Sequence, residues 1–213
     1  MEINYNQVII FDFDGVLIDS KKNMEISWNK TKKKFFLNYK FNKYFKFIGK
    51  PFKDILISLG VKKDFSEIEK NFKIESQKNF GKIKLYKDVI KTLNYLKRKK
   101  IIIGIFTSKD KDRTQKLVKK FKLKVNFIQC PQKGYKGKPS PDLLNKIIKQ
   151  NNFQKSKCTY VGDAKVDLIS AKKAKINFVL AKYGYKVGIK KYKNSINSIS
   201  KIKKIIEWVT LSY

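Results

Sequence analysis

The 213-residue chain is 42% hydrophobic and 14% aromatic, enough to bury one substantial core and to exclude a disordered polymer. It contains no His, which excludes Ser–His and Cys–His nucleophile pairs, and its two cysteines, Cys130 and Cys158, are too few for a disulfide scaffold. The formal charge of +34 is almost wholly Lys spread along the chain, with Arg98 and Arg113 alone offering the planar fork used to read bases, so nucleic acid is disfavoured as a partner.

Residues 7–11 form a short apolar run that reaches Asp12 and then Gly15, the pattern of a buried strand entering a turn. Between residues 21 and 82 strand signals fade and aromatics recur at helical spacing, which predicts a helical insertion. Trp28, Phe35 and Phe36 are expected to pack its interior, and Phe65, Ile68, Phe72 and Ile74 continue the same spacing. A helix follows over residues 89–99 with Val89, Ile90, Leu93 and Leu96 on one stripe, then a buried strand, IIIGIF, that ends at Thr107.

The alternation continues with a helix at 114–121, a strand at 125–128 and a helix begun by PDLL, with Pro141 near its first turn. CTYVGDA reads as a strand, LISAKKA as a helix, INFVLA as a strand and SKIKKIIEWV as a closing helix, while KYKNSINSIS reads as an exposed connection. Such alternation predicts an α/β protein with a parallel sheet, helices on both faces and functional groups at the C-terminal strand ends.

No run reaches the roughly 18 apolar residues needed to span a bilayer, and MEINYNQVII lacks the basic-then-apolar order of a signal peptide. The expectation is a soluble, cytoplasmic monomer or homodimer with no membrane partner. Its positive charge would draw an anionic substrate in a salt-dependent way.

Four strand ends carry polar groups. Asp12 follows the first strand and Asp14 stands two residues on. A carboxylate can attack phosphorus to form an acyl phosphate, and its neighbour can protonate the leaving oxygen and later deprotonate water. A loop cap beside Gly15 is the plainer alternative. Thr107 and Ser108 could bind a phosphoryl oxygen or merely cap a strand. Lys138, in the Pro-flanked loop GKPSPD, could neutralise Asp12 and a transferring phosphoryl group. In VGDAKVD, Asp163, Asp12 and the backbone carbonyl of Asp14 would suit Mg²⁺, with Asp167 orienting a metal-bound water or Lys138. For Asp163 and Asp167 the alternative is a helix cap and a first-turn acid.

Taken in order, FDFDGVLIDS, IIIGIFTSKD, KGKPSPD and TYVGDAKVDLISAKKA closely resemble the haloacid dehalogenase superfamily of phosphohydrolases. Within it the chain resembles the phosphoglycolate-phosphatase-like branch, FIGKPFKDILISLGV matching its cap and LYKDVIKTLNYLKRKK the return to the core. The resemblance implies a Rossmann-like core of residues 1–18 and 84–213 with a helical cap of residues 19–83. It also implies Asp12 as nucleophile, Asp14 as acid and base, Thr107, Ser108 and Gly15 around the phosphate, and Lys138 as the charge-stabilising lysine. Asp12, Asp14, Asp163 and Asp167 would form the Mg²⁺ site. Dehalogenases of the family lack an acid at the place of Asp14, so phosphoryl transfer is favoured over carbon–halogen cleavage.

The reaction so implied is hydrolysis of a small anionic phosphate ester, phosphoglycolate or a sugar phosphate, through an aspartyl-phosphate. Lys50, Lys53 and Lys109 are candidates to contact an anionic leaving group. A phosphosugar mutase on the same skeleton is one competing reading and a basic nucleic-acid-binding protein another. Val16, Asp88 and Lys175 depart from the family pattern, which has Thr at the first position and Gly at the other two.

Overall fold

The computed structural model describes residues 7–203. In chain order its strands are β1 (Val8–Phe11), β2 (Ile18–Asp19), β3 (Lys84–Leu85), β4 (Ile102–Phe106), β5 (Phe127–Gln129), β6 (Cys158–Gly162), β7 (Asn177–Ala181) and β8 (Ser195–Ile196). The helices are α1 (Lys21–Lys34), α2 (Phe41–Phe45), α3 (Phe52–Leu59), α4 (Phe65–Lys78), α5 (Val89–Arg98), α6 (Lys111–Lys120), α7 (Asp142–Gln150) and α8 (Lys165–Ala174). None among the described residues is long and apolar enough to cross a membrane.

β1 is a Val-Ile-Ile-Phe run buried along its whole length, and a strand apolar on both faces belongs where helices cover both sides. Its side chains divide accordingly. Ile9 and Phe11 join the cluster that includes Val89, Leu93 and Leu96 of α5, and Val8 and Ile10 join Leu143, Leu144 and Ile147 of α7. The sheet runs β5-β4-β1-β6-β7-β8, parallel throughout, with Phe11 opposite both Ile105 and Val161. The chain builds from β1 through β4 to β5 on one side and through β6, β7 and β8 on the other. Strand order therefore reverses beside β1, and a crevice opens at the C-terminal edge there.

Helices α1–α4 bury a separate apolar cluster of Met24, Trp28, Tyr44, Leu56 and Phe72. Trp28 stacks on Tyr44 with centroids 4.5 Å apart, and its indole N–H donates to the Tyr39 carbonyl at 2.9 Å. The antiparallel pair β2–β3, with Ile18 opposite Leu85, carries the chain out of the sheet and back.

Several expectations need correction. Ile90 is 39% exposed, because one residue beyond Val89 lies about 100° round the helix; Thr92 takes its place on the buried stripe. Phe36, expected inside with Trp28 and Phe35, is 94% exposed at φ +52°, and Ile74 is also exposed. α6 begins at Lys111 rather than 114 because the Asp110 carboxylate caps it, accepting the Arg113 N–H at 3.0 Å. α8 likewise begins at Lys165 rather than 168, and β5 lies slightly beyond its expected place. The expected exposed connection at 191–200 contains β8 and buries Ile196 and Ile199. Residues 199–201 form a 3₁₀ turn, and most of the expected closing helix lies outside the described residues.

Asp88 and Lys175, two departures from the family pattern, sit at φ +64° and +58°. In that left-handed region a Cβ costs about 1–2 kcal/mol, a strain that a glycine at either place would not carry.

Candidate active site

Three parallel strands deliver the site. Asp12 follows β1, its N–H held by the Val161 carbonyl at 2.8 Å, Thr107 follows β4, and Asp163 follows β6. Gly15 turns the chain behind Asp12 at φ +89°, and a Cβ there would lie 2.1 Å from Asp163 Oδ2. Gly184 is equally confined, 2.3 Å from the Gly15 carbonyl on the same test. These two glycines let backbone close over the Asp163 carboxylate.

Lys138 donates to Asp12 Oδ1 at 2.7 Å and to Asp167 Oδ1 at 2.8 Å, with its Nζ 4.9 Å from the Phe106 ring and 5.3 Å from that of Tyr160. Burial works against its charge, but the two carboxylates outweigh burial and raise its pKa. Asp167 also accepts from the Tyr160 hydroxyl at 2.9 Å and from the N–H groups of Asp163 and Ala164 at 3.2 and 3.0 Å. Four donors fill the lone pairs of its two oxygens. Asp167 therefore holds Lys138 and the start of α8, and no oxygen is left to ligate a cation, although it lies in the acidic cluster with Asp12 and Asp163.

Asp14 stands to one side. Its Oδ1 accepts from the Ser20 hydroxyl and pairs with Lys109 Nζ at 3.1 Å. Lys109 is buried, and burial lowers its pKa in spite of Asp14. Its N–H also donates to Thr107 Oγ1 at 3.1 Å. Tyr185 closes the arrangement: its N–H donates to Asp163 Oδ2 at 2.5 Å, and its hydroxyl accepts the Ser20 N–H at 2.8 Å and donates to Asp19 Oδ1 at 3.2 Å.

The donor set fits a hard divalent cation. Asp12 Oδ2 and Asp163 Oδ1 accept no hydrogen bond among the described residues, and both side chains line the cleft. Four carboxylates, Asp12, Asp14, Asp163 and Asp167, gather here with the ammonium groups of Lys109 and Lys138, and Arg113 and Lys50 also line the cleft. Burial is the main cause of two carboxylate shifts: with Lys138 opposing and Asp167 adding to it, burial lifts Asp12 to about 7, and burial with Asp167 and Asp12 lifts Asp163 well above the ordinary carboxylate value.

The cleft lies between the strand ends and helices α1–α4, with space of about 60 Å³ for water-sized molecules. The residues expected from sequence, Asp12, Asp14, Thr107, Ser108, Lys109, Lys138, Asp163 and Lys50, all line it. Ser108 spends its hydroxyl proton on the Gly49 carbonyl at 2.6 Å, which ties β4's end to the helical side. Lys50 reaches the Ser58 hydroxyl at 3.2 Å, while Lys53 is exposed beside Phe65. Sequence reasoning missed Arg113, Tyr44, Tyr160 and Tyr185. Ser20 was within reach, since it closes the FDFDGVLIDS segment.

Residues 9–181 match the family model of haloacid dehalogenase-like hydrolases. A phosphoglycolate phosphatase of Aquifex aeolicus (strain VF5) is 27% identical over 186 residues, covering 84% of this chain and 86% of that protein. A Clostridium perfringens protein with a provisional pyrophosphatase name is 29% identical over 181 residues, 79% of this chain and 80% of its own. A hydrolase from Pseudomonas syringae, 20% identical, shares the fold with a TM-score of 0.84 over 96% of this chain and 99% of that one. With the family match spanning residues 9–181, most of the described fold, the chain belongs to the haloacid dehalogenase-like hydrolase family.

Proposed function

We propose that the chain is a phosphatase that hydrolyses a small phosphate monoester through an aspartyl-phosphate on Asp12, with a core of residues 1–18 and 84–213 and a substrate-selecting cap of residues 19–83. One observation carries this reading: Asp12, held by Lys138 at 2.7 Å, and Asp14, two residues on, line the same cleft.

In the first step an Asp12 oxygen attacks phosphorus and the bond to the leaving oxygen breaks, while Asp14 supplies that oxygen with a proton. In the second, Asp14 takes a proton from water, whose oxygen attacks the same phosphorus, so that inorganic phosphate leaves and the Asp12 carboxylate is restored. Lys138 and the Thr107 hydroxyl hold the phosphoryl oxygens, and Asp167 keeps Lys138 in place. Asp12, Asp163 and the Asp14 carbonyl would hold Mg²⁺, which when bound neutralises phosphoryl charge. The Aquifex relative's name supports phosphoglycolate as a substrate, and sugar phosphates fit the same chemistry.

Asp12→Asn and Asp14→Asn are expected to lower Mg²⁺-dependent turnover of phosphate monoesters by roughly three to four orders of magnitude, with circular dichroism unchanged. Near-native turnover in Asp12→Asn would refute the covalent route.

A further inference from the structure

The cleft holds donors that this reaction leaves unused. Arg113, one of two arginines in a chain otherwise charged by Lys, is buried on the first turn of α6 and lines the cleft. Asp110 engages its Nε at 2.5 Å, and its two terminal nitrogens donate to no group among the described residues. Phe72 stands beside the guanidinium, ring centroid 5.6 Å from its central carbon.

Tyr44, 1% exposed, lines the same cleft, and its hydroxyl has no hydrogen-bond partner among the described residues. Burial raises the pKa of that hydroxyl, Arg113 lowers it and Asp14 raises it, so the hydroxyl lies within charge range of both. The Tyr44 hydroxyl and the terminal nitrogens of Arg113 open to the cleft rather than lying sealed from it, and Phe72 packs against both side chains, its ring centroid 5.8 Å from that of Tyr44. Two donors that face one cleft without a protein partner offer their hydrogen bonds to an acceptor that arrives with the ligand. The nearby Lys109 is committed to Asp14, and the Asp110 carboxylate occupies the Nε edge of Arg113, leaving the outer edge with two parallel N–H groups.

Resting on the phosphatase reading, we propose that Arg113 and Tyr44 form a second anion site, which grips an oxyanion carried by the leaving group. The substrates preferred are then small phosphate esters or anhydrides whose leaving group is itself a carboxylate or a phosphate. A neutral alcohol would leave both donors to water alone, and the discrimination expected from one charge-assisted contact is about tenfold to a hundredfold.

The test compares kcat/KM for 2-phosphoglycolate, pyrophosphate and 2-hydroxyethyl phosphate in the full chain with Mg²⁺. The wild type should prefer one of the two anionic leaving groups over the neutral one by at least about tenfold, a preference for phosphoglycolate assigning the oxyanion as carboxylate and the reverse as phosphate. Arg113→Gln should erase most of that ratio. Tyr44→Phe, which keeps the ring stacked on Trp28 and removes only the hydroxyl, should reduce it by about three- to tenfold. A ratio within one variant cancels any loss common to both substrates. Turnover without discrimination, or a ratio unchanged in both variants, overturns the anion site alone; a folded wild type that hydrolyses none of the three overturns the phosphatase reading and this site with it.

Discussion

Lys138 and Lys109 both bring an ammonium group to the strand ends, and the fold treats them in opposite ways. Lys138 is held between two carboxylates and two aromatic rings, and those partners raise its pKa against burial. Lys109 has one carboxylate, on Asp14, and a neighbouring cation, Arg113; burial wins and its pKa falls. Folding thus favours the charge on the first lysine and opposes it on the second. On the proposed mechanism the disfavoured charge of Lys109 is kept beside Asp14, whereas Lys138 both bridges two buried carboxylates and faces the phosphoryl group.

The largest effect should come from breaking the first pair. Lys138→Met leaves Asp12 and Asp167 buried without their cation, a loss of about 3–5 kcal/mol for a disrupted buried pair, together with turnover reduced by several orders of magnitude. Thermal unfolding in chelator, where no divalent cation masks the difference, checks the first part. A melting temperature equal to that of the wild type would mean that Lys138 is no structural keystone and would dissolve the contrast.

Lys109→Met should behave differently. Asp14 keeps the Ser20 hydroxyl and faces the cleft, so it is not stranded, and the protein is relieved of an ammonium group that burial disfavours. Melting temperature in chelator should stay level or rise, while turnover should fall by about tenfold to a hundredfold as Asp14, on the proposed mechanism the proton carrier, loses its partner. A clear drop in stability would place Lys109 in the same class as Lys138.

The same contrast explains what could be read from sequence. Asp12, Thr107 and Asp163 follow strands made visible by apolar runs, and parallel strands share one C-terminal edge, so linear position implied their convergence; Lys138 was marked instead by its Pro-flanked loop. The role of Asp167 needed the count of its four donors. Arg113 and Tyr44, 69 residues apart, both stand against the Phe72 ring of α4, and no local pattern marks such a meeting. Phe36 failed for the converse reason: spacing placed it with Trp28, but its positive φ ends α1's register and turns the ring outward. β8 is two residues long inside a polar stretch, too short for any periodicity to show.

A substitution remote from both lysines supplies the baseline against which their effects are judged. Lys175 is exposed and ends α8 in the left-handed conformation at φ +58°, with the next N–H, that of Ile176, bonded back to the Ala171 carbonyl at 3.1 Å. Lys175→Gly removes a Cβ strain of about 1–2 kcal/mol, while the freer unfolded chain takes back about 0.4–1 kcal/mol. The net gain is between zero and about 1.6 kcal/mol, a rise of at most roughly 3–6 °C in a chain of this size, with kcat/KM unchanged because no site residue moves. A lower melting temperature would show that the lysine's own contacts outweigh the strain. A rise accompanied by lost turnover would mean that α8, whose first turn carries Asp167, transmits its far end to the site, and the Lys138 and Lys109 variants would then have to be measured in the Lys175→Gly background to separate their effects.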